Sequence, residues 1–411
     1  MLINSADTAW LLISSALVML MTPGVALFYG GMVRRKSVLS TMMMSFAALA
    51  VVGIIWVLYG YSLSFGPDKA GIIGGLDWVG LRQVGQEPSA VYASTVPHLA
   101  FMIFQAMFAI ITLALITGAV VERVKFSAIL VFSVLWLTVV YCPVAHWIWG
   151  DGGWLARLGA LDFAGGTVVH IAAGVSALAL AKLLGPRKGF LEKEPMEPHN
   201  IPMVALGAGL LWFGWFGFNA GSALTSGGLA ASAFVATNIS AASAAFTWIM
   251  LGWHHRRPSL LGTATGAVAG LVAITPAAGF VPPLAAIPIG VVAAVICYYC
   301  ILFRMKRGID ESLDVWAVHG MGGTWGALAT GIFATVAVNS AGANGLFLGN
   351  AMQLAKQLAG VAAVWSSAFG VTWILGKVVD VTIGLRVSRT EETVGLDISQ
   401  HGERAYGGGL R

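Results

Sequence analysis

Apolar residues run along this chain in blocks of about twenty, well beyond the usual length of a strand or a core helix. Short polar stretches rich in Gly, Pro, Asn or charged residues separate the blocks. A bilayer core about 30 Å thick takes about 20 apolar residues in helical form to cross. On that criterion eleven transmembrane helices are predicted, at residues 8–32, 38–64, 99–121, 126–146, 164–184, 202–222, 230–253, 260–276, 284–303, 315–337 and 347–379. The eighth, rich in Gly and Ala, is the least hydrophobic, and the last is long enough to bend or to continue past the bilayer. The longest polar stretches, 66–98, 185–201 and 386–411, are too short for a separate soluble domain. The predicted fold is therefore all-α and polytopic, with a membrane region at 1–385 and a cytoplasmic tail at 386–411.

Composition agrees. Hydrophobic residues make up 58% and charged residues 10% of the 411, too few charges to cover a water-soluble surface. The 52 glycines suit closely packed membrane helices. Cys142, Cys297 and Cys300 lie in or beside apolar blocks, with no disulfide framework and no metal-ligand spacing, so they read as small core residues.

The net charge of +5 reports topology. No Lys or Arg precedes the first block, so the basic region of a signal peptide is missing, and the first basic cluster is Arg34, Arg35 and Lys36. The positive-inside rule makes that loop cytoplasmic, the N-terminus external and the C-terminus cytoplasmic. Carried through eleven spans, nineteen of the 23 Lys and Arg fall on the inner side, Arg256 and Arg411 among them; Lys69, Arg82, Arg157 and Lys356 fall outside. No basic stripe interleaved with aromatics points to nucleic acid.

Spans one to five and six to ten form two halves of odd count, hence of opposite orientation. Such inverted repeats place the functional site near the midplane between halves. The fifth span of each half carries a histidine, His170 and His319, each after an aspartate, Asp162 and Asp314, and each beside a Gly-Gly-Thr. These two are the ionisable side chains placed well inside spans, where ionisable groups are costly and usually functional. His146 falls at an outer end; His98, His199, His254, His255 and His401 read as loop or tail residues. No Arg, Lys, Asp or Glu sits near the middle of a span, which fits a very small solute with few hydrogen bonds to replace. Counting along the helices leaves His170 and His319 about 10 Å apart along the membrane normal.

Ordered stretches over essentially the whole chain resemble the ammonium transporter family, in its bacterial Amt branch. They are TPGVALFYGG (22–31), FQAMF (104–108), AHWIWG (145–150), ALDFAGGTVVH (160–170), WFGFNAGS (215–222), PSLLG (258–262), DVWAVHG (314–320), DVTIGLR (380–386) and GLDISQHGERAY (395–406). Residues 407–411 run past the tail motif.

The resemblance implies ammonium/ammonia transport across the cell inner (cytoplasmic) membrane for nitrogen uptake, with methylammonium as an analogue. It implies that Trp149 and Ser222, with Phe104 nearby, recruit the cation. Phe108 and Phe218 would gate the passage, His170 and His319 would face one another along a narrow apolar pore and relay protons, and Asp162 would hold the outer vestibule. A homotrimer and a PII-type signal protein at the cytoplasmic face are implied partners. Trp is the strongest cation–π partner, a Ser hydroxyl can accept an N–H, and His titrates near neutral pH, so the chemistry fits those roles. Trp149 and Ser222 favour cation recruitment over an Rh-like gas channel. An ammonium sensor acting through a cytoplasmic signalling partner is the alternative function. No His-Glu-x-x-His, nucleophile elbow or P-loop occurs, so neither an enzyme nor a cofactor is expected.

Overall fold

Within a bilayer each backbone amide must be satisfied by its own segment, so apolar blocks of this length fold as helices. The computed structural model describes residues 2–255 and 257–407; Arg256, Arg411 and the ending 408–411 lie outside them. All eleven blocks are helical. They are Ser5–Met32; 38–65; His98–Thr117; 126–149; Gly166–Leu184; Ile201–Gly221; Gly228–His255; Leu260–Ile274; Ala286–Lys306; 316–333; and Ala351–Ile383. Among the described residues nine helices are long and apolar enough to cross a membrane. Leu260–Ile274 is shorter, and the tenth is built from Trp316–Met321 and Gly322–Phe333. The last span is one continuous helix. The non-helical structure includes two small antiparallel ribbons, Asp68–Lys69 with Ile73–Gly74 and Pro88–Ser89 with Ala93–Pro97, in the connection after the second span.

Neighbour relations repeat between the halves. The first span packs on the second and third, and the second on the fourth; the sixth packs on the seventh and eighth, and the seventh on the ninth. The halves join along the first and sixth spans, the most extensive helix pair in the molecule. Small residues permit it: a Cβ at Gly207 or Gly214 would collide with Phe28 or Met21 of the first span.

On the face bearing the tail, charged residues are buried in a paired belt. Arg187 makes two 2.9 Å bonds to the carboxylate of Asp310, whose Oδ2 also accepts the Arg187 backbone N–H at 2.7 Å. Glu122 accepts from Arg34 and Arg187. Arg123, fully buried, donates to the carbonyls of Gly185 and Asp310 and to Ser312. Burial lowers its pKa to about 10.

The tail is ordered against this belt. Ser388 and Glu391 form a capping box for Arg389–Val394. Buried Glu392 accepts the Lys188 backbone N–H at 2.6 Å and Arg386 at 2.8 Å. Asp397 accepts the Ser40 N–H at 2.8 Å, at the start of the second span. Tyr406 lies under the Arg35 guanidinium, 4.9 Å away, and its hydroxyl meets His199 Nε2 at 2.9 Å.

His98, expected at a solvated position, and His146, expected at the outer end of a span, are both held by hydrogen bonds. His98 is buried at the start of the third span with its Nε2 2.6 Å from the Tyr61 hydroxyl. His146 is buried between the Ser64 carbonyl and Asp68. Both sit where the long connection folds back over the helix ends, an arrangement that linear spacing does not encode.

Candidate functional site

Helical periodicity sets the upper half of the site. Phe104 and Phe108 lie one turn apart on the third span, and Trp215, Phe218 and Ser222 share one face of the sixth. Trp149 ends the fourth span. Phe104, Phe108, Trp149 and Ser222 line a cavity of about 290 Å³ on the face away from the tail, with Gln105 and Phe163 also in its wall, while Trp215 and Phe218 lie beneath it in the wall of the lumen. The Ser222 hydroxyl donates to the Phe218 carbonyl at 2.8 Å, so its lone pairs remain available to a donor in the cavity.

The cavity floor is aromatic. Phe108 stacks on Phe218 with ring centroids 4.3 Å apart, Phe104 meets Phe108 edge-on at 4.9 Å, and Trp149 meets it at 5.8 Å. Below the stack the lumen is lined by Met21, Val25, Tyr29, Leu115, His170 and His319. Its open space is about 10 Å³, on the scale of one small molecule.

His170 and His319 face each other there with Nδ1 to Nδ1 at 3.1 Å. Neither is exposed beyond 5%. One nitrogen must donate and the other accept, leaving an Nε2 on each ring for other partners. The separation is far below the distance obtained by counting, for two reasons. Gly174 packs against the backbone of Gly320, where a Cβ would collide, so the two helices approach to contact. Both histidines also sit in wide π-helical turns, Gly166–Ile171 and Trp316–Met321, that begin at buried carboxylates inside the bundle. Trp215 packs over His170 at 5.3 Å and anchors its indole on Thr275.

Asp162 caps the first of these turns. Its Oδ1 accepts the N–H groups of Gly165 and Gly166 at 2.8 and 2.7 Å, and its Oδ2 those of Thr167 and Val168 at 2.8 and 3.1 Å. Its own carbonyl accepts the Trp149 indole N–H at 2.9 Å. The matching cap in the second half is not Asp314, although each of the two spans opens with an aspartate in sequence. Asp314 has φ 62° and pairs with Arg304. Glu311 takes the place, with Oε2 accepting the Trp316 N–H at 3.1 Å and Oε1 left without a partner. The missed signal was the offset: Glu311 precedes His319 by the same eight residues that separate Asp162 from His170. Glu311 is fully buried, and burial raises its pKa to about 7 against the opposing pull of Arg304.

The bundle and its aromatic-floored lumen define a polytopic, all-α membrane protein; among the described residues no His, Cys, Asp and Glu cluster is placed to hold a metal. The model of the Ammonium Transporter Family matches residues 9–406. The ammonium transporter of Bacillus subtilis is 52% identical, covering 97% of this chain and 98% of its own. The ammonium transporter Amt1 of Archaeoglobus fulgidus is 54% identical over 98% of this chain and 100% of its own. Among solved structures, Mep2 of Candida albicans superposes with a TM-score of 0.90 at 40% identity, covering 98% of this chain and 90% of that one. A sensor Amt protein superposes at 0.88 with 29% identity, over 96% and 98%. The chain belongs to the ammonium transporter family: it is a multi-pass membrane transporter with ammonium as substrate, and not an enzyme.

Proposed function

We propose that this transporter recruits ammonium in the cavity beside Trp149, strips it of a proton and passes ammonia down the apolar lumen, while the His170–His319 pair carries the proton. The observation that carries the reading is the direct imidazole contact at 3.1 Å at the foot of an aromatic stack. Trp149 and the phenyl faces offer cation–π attraction to a compact cation, and Ser222 offers a lone pair. Phe104 completes that pocket, and the stacked Phe108 and Phe218 form the gate. Beyond them the wall is apolar, so a bare cation would lose its solvation at a cost of several kcal/mol or more, whereas neutral ammonia would not. Two imidazoles this close repel a second positive charge, so the pair holds at most one extra proton, moved through the shared Nδ1 contact. Asp162 keeps the vestibule in shape by fixing four N–H groups and the Trp149 indole.

In this reading the protein lies in the cytoplasmic membrane with the vestibule outside and the tail-bearing face inside, works as a homotrimer with one pore per chain, and offers its cytoplasmic face to a PII-type protein. Residues 1–385 form the transport unit and 386–411 the regulatory tail. A second reading, an ammonium sensor, is favoured by the likeness to the sensor Amt protein and by a tail ordered against the connecting loops. Ammonium-dependent current from the purified protein in liposomes tests the first reading. Sustained current supports transport; ammonium binding without current or flux supports the sensor.

A further inference from the structure

Two glutamines of the last span, Gln357 and Gln353, reach across to the segment beside the vestibule. Gln357 is 2% exposed and lies, with Gln353, on the buried face of that helix. Its Oε1 accepts the Leu161 N–H at 2.6 Å and its Nε2 donates to the Leu161 carbonyl at 2.7 Å, so both backbone groups of one residue are held by one amide. The partners fix which end of the amide is which, since an N–H can only donate and a carbonyl only accept. Nε2 also donates to the Ala327 carbonyl of the tenth span at 3.0 Å. One turn away, Gln353 buttresses this arrangement: its Nε2 donates to Gln357 Oε1 at 3.3 Å and to the Gly159 carbonyl at 3.0 Å.

The residues after Leu161 are fixed in turn. Asp162 accepts the Trp149 indole on its carbonyl and caps the His170 turn with its carboxylate. The Phe163 N–H donates to the Pro276 carbonyl at 3.1 Å. The segment 159–163 has no strand or helix of its own to satisfy its backbone, and side chains supply what a ladder would. Loss of the Gln357 amide would leave the Leu161 N–H and carbonyl unpaired at a half-buried site, so the segment would shift to find partners. The carbonyl that orients Trp149 is the next one along.

We infer that Gln357 is a positioning residue for cation recruitment: by clamping Leu161 it sets the Asp162 carbonyl, and through that carbonyl the angle at which Trp149 faces the cavity. This rests on the reading of Trp149 as the recruiting group. Gln357 touches no substrate, and its effect passes through the Trp149 indole.

The test is a double-mutant cycle in proteoliposomes on half-saturation for methylammonium, with Gln357→Met, Trp149→Leu and the double variant, and maximal rate per folded protein measured alongside. Gln357→Met is expected to raise half-saturation about fivefold with maximal rate held within about twofold, and to add nothing in the Trp149→Leu background, because coupled groups are not additive. A purely structural role would instead lower maximal rate or recovery and leave half-saturation in place. Equal fold-changes in both backgrounds, or no change in Gln357→Met while Trp149→Leu shifts, would overturn the inference alone. No shift in Trp149→Leu would overturn the recruitment reading and this inference with it. If Gln357→Met is not recovered folded, Gln353→Met, which removes only the buttress, is expected to raise half-saturation about twofold; an unchanged value there would overturn the inference.

Discussion

Asp162 and Glu311 each stand eight residues before a histidine and each cap the wide turn that carries it, but they are not equivalent in satisfaction. Asp162 accepts four N–H groups through both oxygens; Glu311 keeps one oxygen unpartnered and fully buried. The inverted repeat thus places one carboxylate in a complete cap and its counterpart in an incomplete one.

The incomplete cap has a pH signature. Burial raises the Glu311 pKa from about 4.5 to about 7, so the folded state holds its proton more tightly than the unfolded chain. The associated stability is fully present below pH about 4.5 and is lost as pH rises through about 7, on the order of 3 kcal/mol in all. Glu311→Gln keeps an acceptor for the Trp316 N–H and removes the titration. The melting temperature of the variant minus that of wild type is therefore expected to grow between pH 5 and 8 in detergent. A difference independent of pH would refute the assignment.

Trp149→Leu is expected to raise half-saturation for methylammonium about five- to tenfold, matching a cation–π loss of about 1 kcal/mol. The fold should survive, since Trp149 faces the cavity and gives up one hydrogen bond to Asp162. Uptake at graded methylammonium concentrations reads this directly.

Gly174→Ala places a methyl group against the Gly320 backbone in a close-packed crossing. Overpacking of this kind costs about 1–3 kcal/mol, and relief requires the two histidine-bearing helices to part. Lower thermal stability together with lost ammonium-driven current is expected. Wild-type current in this variant would show that the crossing does not set the histidine contact.

The tail has its own hinge. Gly395 has φ 106°, a region that favours glycine, and a Cβ there would press on Lys36. Gly395→Val is expected to detach the tail from Ser40 and Lys188, raising amide exchange across residues 388–406 while the membrane helices stay protected. Unchanged exchange in the tail would contradict the described packing.

The spans were legible in the sequence because a bilayer leaves a long apolar block little choice but a self-satisfied helix. His170 and His319 stood out because ionisable groups are rare in such blocks. Their contact was implied by the family resemblance but not by counting along the helices: it depends on the Gly174–Gly320 approach and on helices that begin at buried carboxylates, and neither leaves a periodic signal. Glu311 was passed over because Asp314, the aspartate at the opening of the tenth span, took its place, three residues too late. Gln357 was invisible for another reason: a glutamine in a membrane span, here close to Gln353 and Lys356, looks the same in sequence whether it faces solvent or holds a remote loop.

The central claim is that the two imidazoles move the proton. The most direct measurement is ammonium-driven current recorded alongside ammonia flux in proteoliposomes, for wild type, His170→Ala, His319→Ala and the double variant. Each single variant is expected to fold and to lose most of the current, and an acidic replacement at one position to retain part of it, since a carboxyl group also accepts and passes a proton. Full wild-type current and flux in the His170→Ala, His319→Ala double variant would contradict the relay and leave the pair a packing contact.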